Sequence, residues 1–241
     1  MRQRPPIGRP PESHEFTDRA LAQLRADHYS PAGWARFFAR CGVRSYGQVR
    51  VHPRAAVEVT VLHLALAPVA WRRPVVLAGS WFLAITHLGL LGNGRDSIGV
   101  ADCLSLLRAN LPLTRMAPML AMATDLADGW IARRTGPTAF GGYADGLADV
   151  TFWTRYAVGR SGRLLGTLAL AGWLLPASAI TVAYFARGGV IDYPRPEWRR
   201  RLSAVLQCAI AAAALLAVSE RGGSHGNDGP GGQKGRRLRL L

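Results

Sequence analysis

The chain has 241 residues, 49% of them hydrophobic, and 30 basic against 15 acidic side chains give a net charge of +15. That length suits one sizeable domain or a small polytopic membrane protein, and Cys41, Cys103 and Cys208 are too few and too far apart for a disulfide framework or a CxxC metal site. All but one of the basic residues are arginine, which fits phosphate-bearing partners, while a mean hydropathy near zero averages two polar ends with an apolar middle.

The first residues, MRQRPPIGRPPESHEF, contain no apolar core of a cleavable signal peptide, and residues 1–13 read as a flexible Pro- and Arg-rich tail. Within residues 15–54, Trp34, Phe37, Phe38 and Cys41 recur at i, i+3, i+4 and i+7, with Arg36, Arg40 and Arg44 on another stripe. This pattern predicts an N-terminal amphipathic helix on an anionic membrane surface; the alternative is a helix that packs its aromatic face on another part of the protein.

Residues 59–71 and 74–92 are apolar runs separated by Arg72-Arg73-Pro74, and the second is long enough to span a bilayer at ~20 residues per helix. The pair reads as a helical hairpin, with His63 and His87 as hydrogen-bonded structural residues. After the polar break GNGRDS, residues 102–122 have helical character interrupted by Pro112 and Pro118, predicting two short helices or one kinked helix. Between Arg163 and Arg187 lies the clearest spanning run, and a last apolar helix is expected over residues 202–218. The fold expected is therefore an all-α, polytopic membrane helix bundle of about five to six transmembrane helices. The divisions are a basic cytoplasmic region over residues 1–54, a membrane-embedded domain over 55–218 and a disordered basic tail over 219–241. The positive-inside rule places the N-terminal region and the basic loop 194–201 in the cytoplasm.

The stretch over residues 124–153 holds four aspartates, Asp125, Asp128, Asp145 and Asp149, in an otherwise apolar setting. Carboxylates there are costly unless they meet cations, so four of them need a reason. On a helix Asp125 and Asp128 share a face with Ala132, and Gly129 sits beside them; Gly141, Asp145 and Asp149 recur every four residues. Thr135-Gly136-Pro137 is a helix-breaking turn, so two antiparallel helices bring the acid pairs face to face. Such hard oxygen donors suit Mg²⁺ or Mn²⁺, and Arg133 and Arg134 add charge for a phosphate or pyrophosphate.

The pattern Asp125-x-x-Asp128-Gly129-x-x-Ala132-Arg133, followed by Gly141-x-x-x-Asp145-x-x-x-Asp149, closely resembles the signature of the CDP-alcohol phosphatidyltransferase family. A weaker likeness extends to Asp102-x-x-Ser105-x-x-Arg108, where that family often has Asn, Thr and Arg. The resemblance implies an integral, multi-pass membrane enzyme of phospholipid biosynthesis with its active site facing the cytoplasm. It transfers a phosphatidyl-type group from CDP-diacylglycerol or a related CDP-alcohol to a small alcohol or lipid acceptor, releasing CMP. By the same resemblance Asp125, Asp128 and Asp145 bind divalent metal, two Mg²⁺ or Mn²⁺ ions in all. Asp149 lies close to the metals and is the catalytic base, and Gly129, Ala132, Arg133 and Gly141 shape or contact the CDP moiety. The chain departs from the family pattern in having seven residues between Arg133 and Gly141 where eight is usual, Gly146 after Asp145, no Lys after Asp149, and only 16 residues between Arg108 and Asp125.

Competing readings are a catalytically silent family member and an Asp-rich membrane prenyltransferase using an isoprenyl diphosphate, against which the DGxxAR segment speaks. Helix capping with salt bridges accounts for only one or two of the acids. A cation transporter would spread its acids over several crossing helices. Nucleic acid is excluded as a partner, because it explains the charge but neither the apolar runs nor the aspartates. Membrane lipids are expected partners; the acceptor and a homodimeric state are not named by the sequence.

Overall fold

The computed structural model describes residues 11–92, 94–189 and 197–223. All regular structure among them is helical: α1 Pro11–Ala26, α2 Pro31–Val51, α3 Pro53–Ala70, α4 Pro74–Thr86, α5 Val100–Ala109, α6 Ala117–Thr135, α7 Ala139–Arg160, α8 Gly162–Arg187 and α9 Glu197–Gly223. The all-helical class is as expected. The first helix reaches back into the stretch read as a flexible tail, and α9 extends past residue 218. The expectations for residues 1–10, for the loop before Glu197 and for the tail after Gly223 lie outside the described residues.

Proline sets many of the boundaries. Helices α1 to α4 each begin on a proline, whose fixed φ suits the first helical position and whose missing N–H would have no intrahelical partner there. Ser30 caps α2 by accepting from Gly33 N at 3.1 Å, and Thr138 caps α7 by accepting from Gly141 N at 2.8 Å. Inside α8, Pro176 cannot donate to residue 172, and residues Leu170–Leu174 form a π-turn that absorbs the defect.

The expected hairpin is α3 and α4, joined at residues 71–73. It is tied by a buried polar chain: His63 Nδ1 meets Val59 O at 2.8 Å, His63 Nε2 meets Ser80 Oγ at 3.0 Å, and Asn110 Nδ2 of α5 donates to Ser80 Oγ at 2.9 Å. His63 is thus structural, as its isolated place on an apolar run suggested. Residues 102–122 resolve into two helices, α5 and the first part of α6.

Several contacts gather the α2–α3 junction, residues 87–99 and the α6–α7 turn at one end. His52 Nδ1 lies 3.0 Å from Arg95 O, Arg95 Nη2 donates to Thr135 O at 2.9 Å and to Gly136 O at 3.0 Å, and His87 stacks on Tyr143 at 4.1 Å. Gly136 ends α6 at φ +92, a backbone conformation glycine adopts without strain. At the opposite end Arg155 Nη1 donates to Ala109 O at 3.0 Å and Arg160 Nε to Leu113 O at 2.9 Å, tying α7 to the α5–α6 connection.

Among the described residues two helices, α3 and α8, are long and apolar enough to cross a membrane, and only 28% and 11% of their apolar windows are buried. Large apolar side chains such as Leu64, Leu164, Leu175 and Val182 face outward, so the other described residues leave these faces uncovered. The predicted helix at residues 34–41 lies within α2, but half of its aromatic stripe is committed inward. Trp34 and Phe37 pack around Phe185 of α8 at ring distances of 5.4 and 6.2 Å, while Phe38 stays 64% exposed. Tyr29 Oη donates to Phe185 O at 2.6 Å and Arg25 Nη1 to Arg187 O at 3.2 Å, securing α1 and α2 to the end of α8.

Candidate functional site

The site is built where α5 lies against both α6 and α7. On α7, Phe140, Ala144, Ala148 and Phe152 recur every four residues and are buried, and the two alanines permit close approach of a neighbouring helix. Gly141, Asp145 and Asp149 form the adjoining stripe. On α6, Asp125 and Asp128 stand one turn apart and face the same space. The face-to-face arrangement expected from the spacing is present.

At its centre is Arg108, the last-turn arginine of α5, whose side chain is fully buried. Its Nη1 lies 2.6 Å from Asp125 Oδ1, and its Nη2 lies 2.5 Å from Asp145 Oδ1 and 3.2 Å from Asp128 Oδ2. Its Nε lies 3.7 Å from Asp149 Oδ1. One guanidinium therefore meets all four carboxylates, a job its fixed fork of donors suits better than a lysine ammonium. Four ionised acids against one cation leave an excess of three negative charges.

The acids are layered by exposure. Asp125, Asp145 and Asp149 keep side-chain exposures of 37%, 38% and 21%, whereas Asp128 has 9% and Arg108 none. Asp128 also accepts from Ser105 Oγ at 2.9 Å, which holds it toward α5. Asp125, Asp145 and Asp149 each offer an oxygen within 4.8 Å of the others, a grouping able to hold a metal ion. Three hard carboxylate donors open to the outside, with their counter-cation buried behind them, fit Mg²⁺ or Mn²⁺. Asp128 stands on the inner side of that group.

The small residues have distinct neighbours. A Cβ on Gly141 would lie 2.6 Å from Asp102 Oδ1 and 3.0 Å from Thr138 Oγ1, so the Asp102 carboxylate occupies the place a side chain would take. Asp102 is 4% exposed and accepts from Gly99 N at 2.9 Å, fastening the start of α5. At Gly129 a Cβ would lie 3.2 Å from Arg133 Nη1, because Arg133 folds back along α6. Arg133 is exposed on the last turn, Ala132 is half-buried beside it, and Arg134 stacks over Trp130 at 3.6 Å.

Sequence reasoning assigned no role to Arg108 and Ser105, although both stand in the weaker likeness. A signal was present: Asp102, Ser105 and Arg108 are spaced three apart and so share one face of a short helix, in a stretch with no other base between Arg95 and Arg115.

A family model described as CDP-alcohol phosphatidyltransferase matches residues 100–225, just over half of the chain and beginning with the first residue of α5. No curated protein and no solved structure matches.

Proposed function

The chain belongs to the CDP-alcohol phosphatidyltransferase family, and from that premise we propose a metal-dependent transfer of a phosphatidyl-type group from a CDP-alcohol, CDP-diacylglycerol or a relative, to an alcohol acceptor. The observation that carries the reading is the open cluster of Asp125, Asp145 and Asp149 around a buried, charge-deficient centre. Asp125, Asp128, Asp145 and Asp149 would hold the divalent ions, which when bound would neutralise the pyrophosphate and stabilise the leaving CMP.

The remaining roles fall to the chain's own residues. Asp149, on the α7 stripe and partly exposed, takes the proton of the acceptor hydroxyl. The acceptor oxygen bonds to the phosphorus bearing the lipid, the bond from that phosphorus to the cytidylate oxygen breaks, and CMP leaves with the electron pair. Arg133, exposed one helical turn beyond Gly129, supplies a guanidinium for the donor's phosphates. Bare Gly129 and half-buried Ala132 leave room for the nucleotide against α6. Gly141 serves the site by admitting Asp102, which fixes the distance between α5 and α7.

In this reading the enzyme is an integral, multi-pass membrane protein. Support comes from the uncovered apolar faces of α3 and α8 and from Arg50 in the last turn of α2 and Arg95, at the end where the α6–α7 turn lies, the end assigned to the cytoplasm. One observation favours a second reading, a catalytically silent member: Arg108 already lies within ion-pair distance of all four acids.

The two readings separate on product formation. Purified protein is given CDP-diacylglycerol with glycerol phosphate, inositol phosphate, serine or phosphatidylglycerol as acceptor. Formation of one phosphodiester product that Asp145→Asn and Asp149→Asn abolish supports the transferase; no product with any acceptor supports the silent member. Activity that survives both substitutions refutes the assigned roles.

A further inference from the structure

At the end of the bundle away from the aspartates, residues 69–73, Val76, Asn110, residues 112–114 and Arg155 enclose a cavity of about 310 Å³. Three arginines line it: Arg72 and Arg73, which precede α4, and Arg155 of α7. Arg73 and Arg155 carry like charges that disfavour one another. The ion pairs among the described residues all lie elsewhere, so no carboxylate relieves this repulsion. Arg73 Nη1 is buried with no hydrogen-bond partner, and Arg155 spends Nη1 on Ala109 O. Buried donors are almost always satisfied, so a buried, unpartnered cationic nitrogen on an arginine that shares a cavity lining with further arginines marks a place for an anion.

The rim decides which anion. Val69, Trp71 and Val75 around the α3–α4 turn are 57%, 67% and 82% exposed, and Arg72 stacks on the Trp71 ring at 5.1 Å. This turn directly follows Ala70, the last residue of one of the two helices able to cross a membrane. Tryptophan and arginine at such a position match the level of lipid headgroups. An apolar rim beside a cationic floor takes a phosphate that carries acyl chains.

We propose that this cavity binds the phosphate of an anionic phospholipid in the leaflet opposite the aspartate cluster. Arg73 and Arg155 grip the phosphate oxygens, Thr114 lies within the same lining, and Val69 and Trp71 flank the chains. The site shares no residue with the metal cluster, so a substitution at Arg73 leaves the aspartates in place.

Native mass spectrometry of the full chain in detergent, titrated with phosphatidylglycerol, phosphatidylcholine or inorganic phosphate, tests the proposal. Phosphatidylglycerol is expected to bind in preference to the other two. Arg73→Ala and Arg155→Ala should each weaken it about tenfold, the value of one charge-assisted hydrogen bond. Arg155→Ala also removes the bond to Ala109, so Arg73→Ala, which removes no hydrogen bond, is the deciding variant. Unchanged phosphatidylglycerol affinity in Arg73→Ala overturns the site. Equal binding of phosphatidylcholine overturns its charge selectivity, and inorganic phosphate binding as well as the lipid overturns the assignment to a lipid.

Discussion

Replacing Arg108 by glutamine removes the cation that all four aspartates share, and the structure sets the size of the effect. Asp125, Asp145 and Asp149 have oxygens within 4.8 Å of one another, and each such pair repels by about 3 kcal/mol at an effective dielectric of ~20. Solvent lowers this, since Asp125 and Asp145 are more than a third exposed. Removal of one member of a buried ion pair costs ~3–5 kcal/mol, and the partial exposure puts this case near ~3 kcal/mol. For a domain of this length that corresponds to a fall in Tm of ~6–12 °C. Divalent ions bound by the same carboxylates restore charge balance, and metal at a hundred times its Kd returns ~2.7 kcal/mol. Thermal unfolding in detergent with EDTA or with excess Mn²⁺ therefore separates the two effects. Arg108→Gln should unfold early in EDTA and regain most of the loss with Mn²⁺. An equally stable Arg108→Gln in EDTA, or one that Mn²⁺ fails to rescue, refutes the reasoning that guanidinium and metal serve one carboxylate cluster.

Neighbouring glycines on α7 should respond with opposite signs. Gly141→Ala forces a methyl onto Asp102 Oδ1 and should cost ~1–3 kcal/mol by overpacking, whereas Gly142→Ala meets nothing within 4 Å and should gain ~0.5–1 kcal/mol; both are read from thermal midpoints. Asp149→Asn should slow product formation by ~10²–10⁴ while metal protection against unfolding is weakened but not lost, because Asp125, Asp128 and Asp145 remain. Ser80→Ala leaves His63 Nε2 and Asn110 without their shared partner and should lower stability by ~1–3 kcal/mol in the same assay. At the α1–α2 corner, hydrogen bonds from Arg36 and then Gln23 hold the Asp27 carboxyl below its ordinary value. A depressed folded-state pKa gives stability that is full above the ordinary carboxylate range and is lost as pH falls through the folded value. Trp34 fluorescence should therefore be constant at neutral pH and change only below about pH 4, the ordinary value for Asp; a transition near neutrality contradicts the pairing.

The aspartate spacing was legible because helical periodicity is local: Asp125 and Asp128, or Asp145 and Asp149, must share a face once α6 and α7 form, and Thr135-Gly136-Pro137 must interrupt them. Helix starts were equally legible in principle, since Pro31, Pro53 and Pro74 mark three of them. What periodicity does not carry is the third helix that completes the site. Arg108 is 17 residues from Asp125 and 37 from Asp145, and only the packing of α5 against α6 and α7 brings it to their carboxylates. Gly141 shows the same limit: nothing in its local spacing signals that the Asp102 carboxylate of α5 lies where its side chain would be. The aromatic stripe on α2 was correctly placed on one helix face, but only Phe185, some 150 residues away, shows that Trp34 and Phe37 pack on α8.

The central claim is that the cluster of Asp125, Asp145 and Asp149 uses divalent metal to release CMP from a CDP-alcohol. The most direct measurement is CMP release from CDP-diacylglycerol by the purified chain, with its acceptor, in Mn²⁺ and again after EDTA. CMP release that requires Mn²⁺ and disappears in Asp145→Asn is the result predicted. Release unaffected by EDTA, or by loss of the Asp145 carboxylate, contradicts the account.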